Sequence, residues 1–153
     1  VRSPSFKTLP GDPRPLRATV TRTVRFEEVD RLGIVWHGRY PSYFEDARVA
    51  LGSRYGVGYE DFIAHRTPAP VKALQIDYLK PLRFGEEFRI EAILHWSEAA
   101  RLDFEFLITN ARGEATTTGW SIQVFTDEAG DLLLFPPPFV EAFRDRWRLG
   151  KLT

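Results

Sequence analysis

The chain has 153 residues, 43% of them apolar and 27% charged, the balance of an ordinary globular protein. Lys plus Arg and Asp plus Glu number 21 each, so the formal charge is zero and no dense basic run exists; nucleic acid is not an expected partner. With no cysteine there are no disulfides, zinc ribbons or thiol nucleophiles, and neither a signal-peptide layout nor a membrane-spanning run is present, so a cytoplasmic protein without membrane insertion is expected.

Residues 1–17 contain four of the eleven prolines and read as a flexible N-terminal arm, ahead of a single domain over 18–149. From Ala18 to Phe26, Val20, Val24 and Phe26 alternate with Thr and Arg, which predicts a first strand. A polar turn follows, Glu27 to Gly33, and then the apolar Ile34-Val35-Trp36. Pro41 suits the first turn of a helix, where a missing N–H costs nothing. Tyr40, Tyr43, Phe44, Ala47, Ala50, Leu51 and Tyr55 then recur at helical spacing, and Gly56 and Gly58 end the stripe.

Residues 59–67 read as a short helix and loop. Four strand-like segments come next, at about 69–79, 86–96, 101–109 and 114–126, divided by turn chemistry at Pro81 with Gly85, at Ser97 to Ala100, and at Asn110 with Gly113. In the third of them Leu102, Phe104, Phe106 and Ile108 form one apolar face. Pro136-Pro137-Pro138 interrupts regular structure before a closing helix over Phe139 to Leu149. One strand, a long helix and a run of strands define an α+β architecture: a long helix packed on a mainly antiparallel five-stranded sheet, with a C-terminal helix.

Asp30 stands out chemically. It lies in a turn shortly before a helix start, where unpaired N–H groups and the positive end of the macrodipole would stabilise a developing oxyanion. A carboxylate there can attack a carbonyl or activate water, although Asp is also a common turn residue. His37 follows six residues later than the adjacent position, and by itself is as readily a packing residue as an acid–base group. The three histidines, His37, His65 and His95, lack ligand spacing, so no metal is expected, and no cofactor-binding glycine loop or Gly-x-Ser-x-Gly elbow is present.

The stretch Phe26-Glu27-Glu28-Val29-Asp30-Arg31-Leu32-Gly33-Ile34-Val35-Trp36-His37-Gly38-Arg39-Tyr40, continued by Tyr43-Phe44-Glu45-Asp46-Ala47-Arg48, resembles the signature of 4-hydroxybenzoyl-CoA thioesterase-like hotdog proteins, particularly YbgC-type acyl-CoA thioesterases. A second block agrees, Ile76-Asp77-Tyr78-Leu79-Lys80-Pro81 and Phe84-Gly85-Glu86. The resemblance implies a hotdog fold and a homodimer, paired further in some relatives into a homotetramer, with the site between subunits. It implies hydrolysis of an acyl-CoA substrate without a cofactor, Asp30 serving as nucleophile or general base and the His37 backbone N–H polarising the thioester carbonyl. His37 is thereby placed with Asp30 in the catalytic set, and Gly33, Val35, Trp36 and Tyr40 with the substrate. Lys80 and Arg83 are candidates for the CoA phosphates, with Arg39 and Lys72 behind them. The chain departs from the pattern at Glu28-Val29, which puts a like charge near Asp30 in sequence. Two other hotdog readings stand beside hydrolysis: an acyl-CoA-binding protein without catalysis, and an enoyl-CoA hydratase or dehydratase, which the spacing of Asp30 and His37 and the surroundings of Glu45 fit less well.

Overall fold

The computed structural model describes residues 6–152. Five strands, β1 (Leu16–Thr23), β2 (Val71–Tyr78), β3 (Glu87–His95), β4 (Arg101–Asn110) and β5 (Ala115–Val124), form one antiparallel sheet in the order β1-β3-β4-β5-β2. Helix α1 (Tyr40–Tyr55) lies on one face, followed by the short α2 (Tyr59–Ala64), and α3 (Pro138–Arg148) closes the chain. The α+β hotdog architecture is as the sequence predicts. One feature of the strand order is not legible there: β2 and β3 are consecutive in the chain but sit on opposite sides of the sheet, because β2 pairs with β5.

Element ends moved for identifiable reasons. The first strand begins at Leu16 and stops at Thr23, opposite Glu87, where its partner β3 begins; Phe26 instead starts a single 3-10 turn. The boundary expected at residue 18 is therefore two residues late. Of the expected arm, residues 1–5 lie outside the described residues. Farther along it the Phe6 ring sits 5.1 Å from the His95 ring, and the Arg14 carbonyl accepts the Trp147 Nε1–H at 2.9 Å.

The helix stripe does what its spacing requires. Tyr40, Tyr43, Phe44, Ala47 and Leu51 face the sheet, and Phe44 stacks on Phe106 of β4 with centroids 4.4 Å apart. Glycine permits this approach at Gly119 and a second close packing at Gly52. A Cβ on Gly119 would fall 2.5 Å from the Phe44 ring, and one on Gly52 would fall 2.5 Å from the Gly58 Cα, so Gly52 marks a close backbone crossing within a sound helix. Gly56, at φ 77°, ends α1 in the left-handed conformation, its N–H donating to the Gly52 carbonyl.

The helix packs chiefly over β1 and β3. The same sheet face over β5 and β2 is left more open, and there Ser121 and Gln123 stand among Val71, Leu74, Leu102 and Phe104.

Candidate active site

The segment carrying Asp30 is a short, heavily tied loop. Val29 and Val35 form an antiparallel bridge, the Asp30 N–H donates to the Ile34 carbonyl at 2.9 Å, and the Gly33 N–H donates to the Asp30 carbonyl at 3.0 Å. Gly33 takes φ 75°, a conformation that side chains resist, which is why a glycine closes this turn. The Asp30 side chain is half-buried, and its Oδ1 accepts the Leu32 N–H at 2.8 Å. The turn role anticipated for this residue is thus real, and it leaves the second carboxylate oxygen without a protein donor among the described residues.

The loop is clamped from two directions. Ile34 bridges Arg83, the Val35 N–H donates to the Leu82 carbonyl at 2.8 Å, and the Trp36 N–H donates to the Glu28 carbonyl at 2.9 Å. Glu28 does not direct its charge at Asp30: its Oε1 accepts the Arg25 N–H at 2.8 Å. Its carboxylate also neighbours the buried Tyr43 phenol, whose pKa rises far above the ordinary range, first through burial and then through Glu28.

His37 opens a 3-10 turn, His37–Arg39, that runs into α1. Neither preceding residue, Trp36 or Arg39, caps these helix starts with a side-chain acceptor. Helix starts carry N–H groups without intrahelical partners, so this pole is available to an incoming oxygen. The turn is held through its carbonyl: Tyr78 of β2 donates its hydroxyl to the His37 carbonyl at 2.7 Å. Tyr78 lies in the second resembling block, yet nothing in strand periodicity marks it as a support of the helix entrance. Arg39, expected near CoA, donates instead to the Glu27 carbonyl at 3.1 Å.

The structure thus brings Asp30, Gly33, Trp36, His37 and Arg83 to one end of α1. Val35 and Tyr40, 4% and 2% exposed, belong to the core beneath the loop. Burial raises the Tyr40 phenol, with Thr117 and the Leu82 backbone beside it. Lys80 forms a partly exposed ion pair with Glu114. Around the loop, Phe26, Leu32, Trp36 and Phe84 leave large apolar side chains exposed, with Phe26 edge-on to Phe84 at 6.0 Å. Such a rim around a carboxylate is what a covered or substrate-filled site leaves on one half.

The main cavity is elsewhere along the same helix. It has a volume of about 560 Å³ and lies between α1, α2 and the sheet, with Val49, Phe62, Ile63, Leu102 and Phe104 in its wall. None of the residues predicted for the site lines it. Among the described residues no cluster of three or more His, Asp or Glu suits a metal, and no helix is long and apolar enough to cross a membrane.

A five-stranded antiparallel sheet wrapped on one long helix is the hotdog architecture. The chain belongs to the thioesterase-like superfamily, whose pattern matches residues 24–143. It is 30% identical to YneP of Bacillus subtilis, provisionally named an acyl-CoA thioesterase, over 80% of this chain and 86% of that one. In structure it is similar to the DHNA-CoA thioesterase of Staphylococcus aureus, with a TM-score of 0.76 and 25% identity, over 88% of this chain and 93% of that chain. A Thermus thermophilus thioesterase complexed with coenzyme A and Zn aligns with a TM-score of 0.69 and 28% identity, over 85% of this chain and 96% of that one.

Proposed function

We propose that the chain hydrolyses acyl-CoA thioesters to free acid and CoA, with the Asp30 carboxylate as general base or nucleophile. The observation that carries this is the pairing of a half-buried carboxylate, fixed on a clamped loop, with the uncapped helix start at His37. In the base route, water loses its proton to Asp30 as its oxygen attacks the thioester carbonyl carbon. The His37 N–H holds the oxygen that becomes negative, the C–S bond then breaks, and the CoA thiolate leaves to take up a proton. In the nucleophilic route a carboxylate oxygen attacks, CoA thiolate leaves, and water cleaves the resulting anhydride. The His37 ring, exposed beside Trp36, lines the site.

Arg83 is exposed and forms no ion pair among the described residues, which suits a contact with a CoA phosphate better than the engaged Lys80 does. The working unit is a homodimer, with a homotetramer as its doubled form. Support for this is the outer edge of β2, a strand that carries exposed Val71, Leu74 and Tyr78 and pairs on its other side with β5; no strand among the described residues covers that edge.

Asp30→Asn is the decisive variant, because an amide oxygen can still accept the Leu32 N–H while the charge is lost. Thiol release from a panel of short, long and aromatic acyl-CoAs should fall by roughly a hundredfold or more. Unchanged turnover would leave Asp30 as a turn-forming residue only. The bond from Leu32 favours that second reading, in which the chain binds acyl-CoA without cleaving it; binding without thiol release in the unaltered protein would establish it.

A further inference from the structure

Among the described residues, seven buried side-chain polar atoms lack a hydrogen-bond partner, Tyr43 Oη, both His95 ring nitrogens, Asp103 Oδ1, Thr117 Oγ1, Trp120 Nε1 and Ser121 Oγ, although Asp103 Oδ1 and His95 Nε2 face Arg101 and Glu105 at 2.9 and 3.5 Å. His95, Asp103 and Trp120 share the sheet face away from α1, and Tyr43 and Thr117 lie against the neighbouring Glu28 and Tyr40. Ser121 differs from all of them, because it borders a cavity. It is 2% exposed, it sits in β5 between Phe104 of β4 and Leu74 of β2, and it faces a small hollow walled by Pro41, Phe44, Leu74 and Phe106.

A hydroxyl in this setting is unfavourable unless something reaches it, since alanine would fill the same space with no polar group to desolvate. The next residue on this strand face is also polar. Gln123, 7% exposed, spends its Nε2 on the Ala69 carbonyl at 2.7 Å and lines the large cavity. The two hollows share Glu45, Arg48 and Val71 as wall, and they follow one another down α1 from its first turn, at Pro41, towards Val57. A group anchored at the helix entrance and running along this flank meets Ser121 first and Gln123 second.

We infer that this groove takes the acyl group, and that Ser121 selects acyl groups bearing a neutral hydrogen-bonding substituent, a hydroxyl or keto oxygen, beyond the thioester carbonyl. The inference rests on the thioesterase reading for the anchoring of the carbonyl. A serine hydroxyl both donates and accepts, so either oxygen complements it. A charged substituent fits poorly, because the wall charges already pair with each other, Arg48 with Glu45 and Arg66 with Glu128 at 2.9 Å. The rest of the wall is apolar and takes the carbon skeleton.

The test uses the full chain and matched CoA thioesters, octanoyl against its hydroxy- and keto-octanoyl forms and phenylacetyl against hydroxyphenylacetyl. Thiol release is followed for turnover, and calorimetry with the non-hydrolysable thioether of each reads binding. The unaltered protein should favour the oxygenated member of at least one pair by about five- to tenfold, the scale of one added hydrogen bond. Ser121→Ala should bring that ratio close to one, with KM carrying most of the change, and Ser121→Thr should restore part of it. Equal ratios in both proteins, in turnover and in binding, would overturn the inference. So would a Ser121→Ala effect confined to subunit association, which would assign the hydroxyl to a second copy of the chain. If no thioester is cleaved, the hydrolase reading fails, while the thioether ratios still decide the role of Ser121.

Discussion

The two edges of the sheet present opposite surfaces. Along β1, Arg17, Thr19 and Thr21 line the face away from α1, where Arg17 pairs with Glu91 at 2.8 Å, and Arg22 on the opposite face pairs with Asp46 of α1 at 3.0 Å. Charged and hydroxylated side chains of this kind discourage another strand from pairing, and the edge is tied back to the helix of its own subunit. Along β2 charged residues also occur, Lys72 and Asp77, but large apolar side chains stand exposed beside them. Val71 and Leu74 are each 44% exposed and Tyr78 is 50% exposed, and the strand holds the His37 turn through the Tyr78 hydroxyl. One sheet therefore carries a finished edge and an unfinished one, and the unfinished edge is the one wired to the candidate site. If a second copy pairs there, association and catalysis become a single property.

The strongest way to break this contrast is a charge on each edge. Leu74→Lys should convert the dimer to a monomer in light scattering and remove most thioesterase activity, whereas Thr19→Lys on β1 should leave mass and activity unchanged. Because Leu74 also walls the hollow beside Ser121, it is an active monomer that would separate the two properties. Gly119→Ala attacks the same side from beneath, since its new methyl would meet the Phe44 ring at 2.5 Å and the Gln75 carbonyl of β2 at 2.6 Å. Overpacking of this kind should cost about 1–3 kcal/mol in urea denaturation.

A finer probe compares the two tethers. Tyr78→Phe removes the hydroxyl that holds the His37 carbonyl and should lower kcat/KM severalfold, at a stability cost of about 1 kcal/mol. Arg22→Ala removes an exposed pair on the other edge and should leave kcat/KM unchanged and stability within about 1 kcal/mol. The smallest effect lies just past the end of β2, where Glu114 is drawn down to about 2, first by Lys80 and then by Arg112 and Asn110. Its folded pKa lies below the ordinary 4.5, so its contribution to stability is complete above pH 4.5 and disappears as pH falls towards 2. The gap in denaturation midpoint between the unaltered protein and Glu114→Gln should close over that window.

Much of the fold was readable in the residues. The stripe from Tyr40 to Leu51 and the alternation from Leu102 to Ile108 each report one buried face, and both elements formed within a residue or two of expectation. Strand ends were less legible, because a strand stops where its partner stops: Thr23 ends β1 because β3 begins opposite it at Glu87. At the candidate site, the Asp30 loop and the helix start were both visible in the motif. The burial of Val35 and Tyr40, the pairing of Lys80 with Glu114, and the support from Tyr78 were not, since each depends on a contact across 34 residues or more or on packing against the sheet.

Local physics is written into the chain directly. Periodicity selects which side of an element meets the core, a glycine allows the turn after Asp30, and a proline admits the first turn of α1. Those features determined the class of fold and the residue worth testing. Tertiary structure alone decided that β2 became a bare edge, that this edge holds the His37 turn, and that Ser121 was left without a partner beside a hollow. Each of these arises where segments remote in sequence meet, and the free energy of such a meeting belongs to the pair and to neither segment alone.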